Sequence, residues 1–202
     1  MMQSVASAQA GASCGPGVLD WDTFTTGSVF TNTIIGNTTI TMTISGVTNT
    51  TLGADNGRIL AGPAGGISQK HLRFTMSSTN GTSANGSRQT VTFSFSNPVT
   101  NVAFTFFDID NQTGNGWGDR IVMNTTGYTF SIPSGGLVIG NGTNGNRFRN
   151  SNANLNLLNT DNRGNLTVNY AGPLTSFSFV YRNEVNINSI QLISMSDLTF
   201  IC

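Results

Sequence analysis

Charge is what this sequence has least of. Only 9% of its 202 residues are Asp, Glu, Lys or Arg, against roughly 25% in an ordinary soluble domain. The cationic and anionic side chains number nine each and cancel. Lys and Glu occur once each, as Lys70 and Glu184. A partner nucleic acid needs a clustered basic surface, so this balance argues against one. No apolar run reaches about 18 residues, which argues against membrane insertion of this chain. A single histidine, His71, has no motif partner, and no CxxC or His/Cys cluster is present. Zinc chemistry and a nucleophilic triad therefore have no support. Helical periodicity with credible caps is missing as well.

Neutral polar residues take the place of charge, with 28 Thr, 25 Asn and 24 Gly. Such a surface suits a secreted or cell-surface protein. Period-2 alternation of β-branched and aromatic residues recurs at short intervals. It runs through 33–47, 71–78, 89–97, 100–110, 119–126, 128–132, 165–172, 175–183 and 187–202. Six Asn-Gly pairs, the preferred pair for tight hairpins, punctuate these runs. The pattern predicts an all-β antiparallel sandwich, jelly-roll-like by its length, with an immunoglobulin-like Greek key as the alternative. Residues 14–202 read as a single domain. Residues 1–13 read as a flexible tail or a signal-peptide remnant, since "SVASAQA" has the small residues of a cleavage region.

The two cysteines, Cys14 and Cys202, stand at the extremes of the sequence. In an exported protein an even pair reads as a disulfide, which requires the chain ends to be neighbours. Closing so long a loop constrains the unfolded chain by roughly 5 kcal/mol.

Three of the nine acidic residues gather in "FFDIDNQTGNGWGDR", as Asp108, Asp110 and Asp119. At strand spacing Asp108 and Asp110 point to one side, continuing the parity of Phe104 and Phe106. Two anions at a core edge repel and lose solvation unless something positive pairs with them. Calcium is one answer, taken by the three carboxylates with Asn111 and Asn115 as further oxygen donors. Ion pairs to Arg120, Arg182 or another Arg, a solvated hairpin tip and a catalytic carboxylate pair are the others. Trp117, inside the turn, is a candidate platform for a glycan or protein partner. Trp21 reads as core or as part of an early strand. The Asn-rich segment 140–165 reads as an ordered or flexible surface loop, or as a local hairpin through "ANLNLLNT". Its Arg147 and Arg149 join Trp117 as candidate ligand contacts.

The stretches "VTFSFSNPVTNVAFTFFDIDNQTGNGWGDRIVM", "LTVNYAGPLTSFSFVYRN" and "SDLTFIC", with the early Cys and "LDWDTF", resemble a β-sandwich module of bacterial secreted and cell-surface adhesin-like proteins. In that resemblance residues 91–107 form a strand–Pro–strand hairpin. It implies a non-enzymatic extracellular role in adhesion, ligand display or surface architecture. Two expectations follow. One is a glycan- or protein-binding module with a calcium-ordered loop. The other is a structural subunit of a filament, assembled with copies of itself through the N-terminal segment. A hydrolase is a distant third.

Overall fold

The structure is a computed structural model, described for residues 15–78, 86–112, 117–184 and 190–202. The first strands are β1 (Pro16–Leu19), β2 (Asn32–Ile35), β3 (Thr38–Thr48), β4 (Thr50–Leu52), β5 (Arg58–Leu60) and β6 (His71–Ser78). The middle of the chain gives β7 (Arg88–Phe107), β8 (Asn111–Gln112), β9 (Trp117–Met123), β10 (Tyr128–Ser131), β11 (Val138–Ile139), β12 (Arg149–Asn150) and β13 (Asn154–Leu155). Last come β14 (Leu166–Tyr170), β15 (Leu174–Asn183), β16 (Ile190–Met195) and β17 (Leu198–Ile201). The described strand pairings are antiparallel, and the fold is a jelly-roll-like β-sandwich. No helix among the described residues is long and apolar enough to cross a membrane.

One layer runs β2–β3–β7–β15–β9–β8–β13, using the first half of β7. The second half of β7 belongs to the other layer. There it pairs β14 on one side, with β10 beyond, and β16 and β17 end to end on the other. Beyond β16 lies β6, which carries β4 and β5. The alternation of 89–97 and 100–110 thus belongs to one strand of 20 residues, not to a hairpin about Pro98. Its parity explains the crossing. Val91, Phe93, Phe95 and Val99 are buried on odd positions, then Val102, Phe104 and Phe106 on even ones. The slip falls at Asn101, whose φ of 51° lies in the left-handed region, and a one-residue slip exchanges the faces of a strand. Both halves therefore send their aromatic face into the same core.

That core is largely aromatic. Phe177 stacks on Phe93 at 5.1 Å and on Phe104 at 4.8 Å, joining the two layers. Trp21 is fully buried, as its sequence context suggests. His71 sits on β6 and is buried rather than exposed. Burial and the neighbouring Arg73 charge push its imidazole down to about 4. The run 33–47 divides at Gly36-Asn37, a turn that opens on Gly36 with φ 60°. Gly in the first central position is the arrangement of a type II′ hairpin, so an Asn-Gly signal is not needed there.

The ends of the described chain meet. β1 pairs β17, and Trp21 donates Nε1–H to the Ser196 carbonyl at 2.7 Å and N–H to Asp197 Oδ1 at 2.8 Å. The Cys202 N–H donates to the Gly15 carbonyl at 3.4 Å. Cys14 and residues 1–13 lie outside the described residues. The closeness that a Cys14–Cys202 bridge requires is met at the residue following Cys14.

Candidate ligand-binding site

At the end of β7 the strand breaks. Phe106 and Phe107 are both buried, and Asp108 then adopts φ 66°. Left-handed backbone is uncommon for a residue other than glycine. Simple alternation therefore does not place Asp108 and Asp110, and the one-sided strand expected from parity is corrected. The two nevertheless reach the same cavity by way of this turn. Asp110 and Asp119 come together across the β8–β9 pair. The Asp110 N–H donates to Asp119 Oδ2 at 3.1 Å, and the Asp119 N–H to the Asp110 carbonyl at 3.0 Å. Tyr181 donates its hydroxyl to Asp119 Oδ1 at 2.6 Å, and the Leu157 N–H reaches Asp110 Oδ2 at 3.1 Å.

Both carboxyls are pushed up. Burial is the main cause at Asp110, followed by the charges of Asp119 and Asp108. Burial lifts Asp119 to about 7 against the hydrogen bonds from Tyr181 and Asp110. Asp108 rises to about 6 through burial, opposed by Arg73. Buried carboxyls in contact do not both ionise readily, so the pair shares a proton near neutral pH. Arg120 and Arg182 do not serve as counter-ions here. Arg120 Nη1 donates to the main-chain carbonyl of Asp119 at 2.8 Å, and both guanidinium groups turn to Glu184.

The proposed calcium donors are not brought together as one set. Asn111 pairs Gly118, which has the parity of Arg120 and the opposite parity to Asp119. Its Oδ1 crowds Gly118 together with Arg120 Nη1, so a Cβ at Gly118 would lie 2.6 Å from that oxygen. Asn115 lies outside the described residues. Among the described residues, no three His, Cys, Asp or Glu side chains converge closely enough to hold a metal ion.

Beside Asp108 and Asp110 opens a cavity of about 280 Å³ with Asn156, Leu157, Asn159 and Gln191 on its walls. Gln191 is 3% exposed, and neither its amide oxygen nor its nitrogen has a hydrogen-bond partner among the described residues. Buried Gln89 exchanges hydrogen bonds with Asn56 at 3.0 and 3.1 Å. A buried unpaired amide costs about 1–3 kcal/mol, which a ligand with hydroxyl groups would recover. Ile190 and Leu192 add apolar surface to the same wall.

The Asn-rich segment is an ordered loop rather than a local hairpin. β13 pairs β8, β11 pairs β12, and Phe148 and Leu157 are buried beneath it. Arg147 and Arg149 come to the outer face beside Arg120. Trp117 begins β9, opposite Gln112, and its side chain lies outside the described part. Sequence reasoning missed Gln191, Asn156, Asn159 and the role of Glu184. A polar residue at the core parity of Ile193 and Met195 was the available signal for Gln191.

The fold and cavity define an antiparallel β-sandwich with a polar end-of-core pocket. No family model and no curated protein matches the sequence. Among solved structures the chain is similar to the adhesin domain of PrgB from Enterococcus faecalis, solved bound to DNA. That similarity has 12% identity and a TM-score of 0.43, covering 79% of this chain and 60% of that one. It is also similar to TmCBM27, a carbohydrate-binding module studied for mannan recognition. Here identity is 11% and the TM-score 0.37, covering 79% of this chain and 87% of that one. At these identities both are likenesses of fold.

Proposed function

We propose that this protein is a non-enzymatic, extracellular surface module that binds a neutral glycan in the cavity beside Asp108 and Asp110. The observation that carries the reading is the buried, unpaired amide of Gln191 on the cavity wall. Asn156, Asn159 and the two carboxyls offer donors and acceptors that match sugar hydroxyls in number and kind. Leu157, Leu192 and Ile190 supply apolar surface for a sugar ring face. The Asp110–Asp119 pair serves to hold the cavity wall, with a proton where the sequence suggested a cation. Calcium would have to displace that proton. The filament reading depends on residues 1–13, which lie outside the described residues.

A neutral-glycan array run with and without EDTA tests this reading, with Gln191→Leu as the comparison. Wild type should bind at least one neutral glycan, and Gln191→Leu should lose about tenfold or more in affinity. The melting temperature of the variant should hold or rise, because an unpaired buried amide is replaced by an apolar group. Loss of binding in EDTA would restore the calcium-ordered loop. No neutral glycan bound under either condition would remove the proposal.

A further inference from the structure

The even charge balance hides a segregation. Arg88, Arg120, Arg147, Arg149 and Arg182, five of the nine cationic side chains, meet on one face. Strand register builds the group. Arg88 on β7 stands directly opposite Arg182 on β15, and Arg182 stands directly opposite Arg120 on β9. The bridge between Ile121 and Phe148 then brings Arg147 and Arg149 alongside. Like charges directly opposite across strands are destabilising, and here three stand in a row.

Compensation is incomplete. Glu184 Oε1 lies 3.0 Å from both Arg147 Nε and Arg182 Nε, and its Oε2 lies 3.8 Å from Arg120 Nε. Those two 3.0 Å approaches are ion pairs without hydrogen-bond alignment. Among the described residues, only Arg147 Nη1 makes an aligned bond to this carboxylate, at 3.1 Å. Neither Arg88 nor Arg149 has an acidic partner among the described residues. Burial and the neighbouring arginines pull Arg120 and Arg182 below their usual pKa, and Glu184 opposes this. Two cavities open on the face. One, of about 310 Å³, is lined by Arg120, Arg147, Arg149 and Asn146, with Glu184 among them. The other, of about 300 Å³, is lined by Arg88 and Arg182 with Asn124, Asn144, Thr48 and Thr90.

We propose that this arginine face is a second binding site, for the sulfate or carboxylate group of an acidic glycan. Guanidinium groups hold such oxyanions in a planar fork. The Asn and Thr side chains between them suit hydroxyl groups of the same sugar. Among the described residues no aromatic side chain lines either cavity, so none of them offers a base a stacking surface there. This favours an acidic sugar over a nucleic acid. The site is independent of the neutral-glycan cavity, since Arg120 and Asp119 alternate in parity on β9.

Calorimetric titration tests the proposal with a sulfated oligosaccharide, an oligogalacturonate, a single-stranded oligonucleotide of matched charge and dextran. One or both acidic sugars should bind, less tightly at about 300 mM than at about 50 mM salt. Arg88→Ser and Arg149→Ser should each weaken binding by about tenfold. Arg163→Ser, which removes an exposed guanidinium paired with Asp161, should leave it unchanged, and so should Gln191→Leu. The proposal is overturned by absence of binding, by indifference to Arg88→Ser and Arg149→Ser, or by equal or tighter oligonucleotide binding.

Discussion

Asp110 and Asp119 show how far a single side chain departs from its sequence reading. Their closeness in the sequence suggested a cation, and the fold surrounds them with a tyrosine hydroxyl and backbone amides. The pH consequence has a definite sign. An unfolded Asp loses its proton near about 4, while burial and mutual repulsion hold the folded pair's protons higher, Asp119 being pushed to about 7 and Asp110 to about 10. Between those values the folded state binds more protons, so stability falls as pH rises. Melting curves should therefore show the highest transition near the acid end of this window and a steady loss through neutrality. Asp110→Asn should flatten that slope and raise the melting temperature at pH above about 10, where both carboxyls of the wild type would be charged. Equal slopes in both proteins would refute the shared proton. A neighbouring residue gives a steric prediction. Gly118→Ala should disturb the Asn111 and Arg120 side chains that crowd it, with a cost of about 1–3 kcal/mol in urea unfolding.

At the scale of elements, β7 organises the molecule. Its first half pairs β3 and β15, and its second half pairs β14, β16 and β17. Phe177 on β15 lies between rings from both halves. Phe177→Ala should cost about 3–5 kcal/mol, read as a lower urea midpoint at unchanged slope. A loss below about 1 kcal/mol would mean that the stack is not the seam between the layers. The two apolar runs of β7 were legible in the sequence, and so was the break between them. The resemblance to the adhesin-like module implied a hairpin at that break, about Pro98. The observed outcome is a parity slip in a continuous strand. A strand that changes sheet and one that reverses carry the same local signals, and only the partners available on either side separate them.

The whole molecule is closed at its ends. β1 lies on β17, and the turn at Trp21 is bonded to Ser196 and Asp197. We propose that Cys14 pairs with Cys202 and fastens this closure. Non-reducing peptide mapping should recover the two cysteines as one linked fragment. Cys202→Ser should lower stability by up to roughly 5 kcal/mol, and reductant should reproduce the loss in wild type only. A stability unaffected by reductant would show that β1 and β17 hold the ends unaided. Charge also acts at this scale. Zero net charge was read as a surface without a basic region, and five arginines from β7, β9, β15 and the segment at 147–149 form one nonetheless. Net charge is a sum over the chain, whereas a binding face depends on how register distributes it.

By itself the sequence determined the all-β sandwich, the positions of most strands, the burial of Trp21 and the importance of the stretch around Asp108 and Asp119. Those features rest on alternation and residue chemistry, which are local. Tertiary structure alone decided that Asp110 meets Asp119 while Asn111 turns away, that Gln191 is left bare on a cavity wall, and that three arginines line up across three strands. Each of these depends on pairing between segments distant in sequence, where a shift of one residue exchanges core for surface.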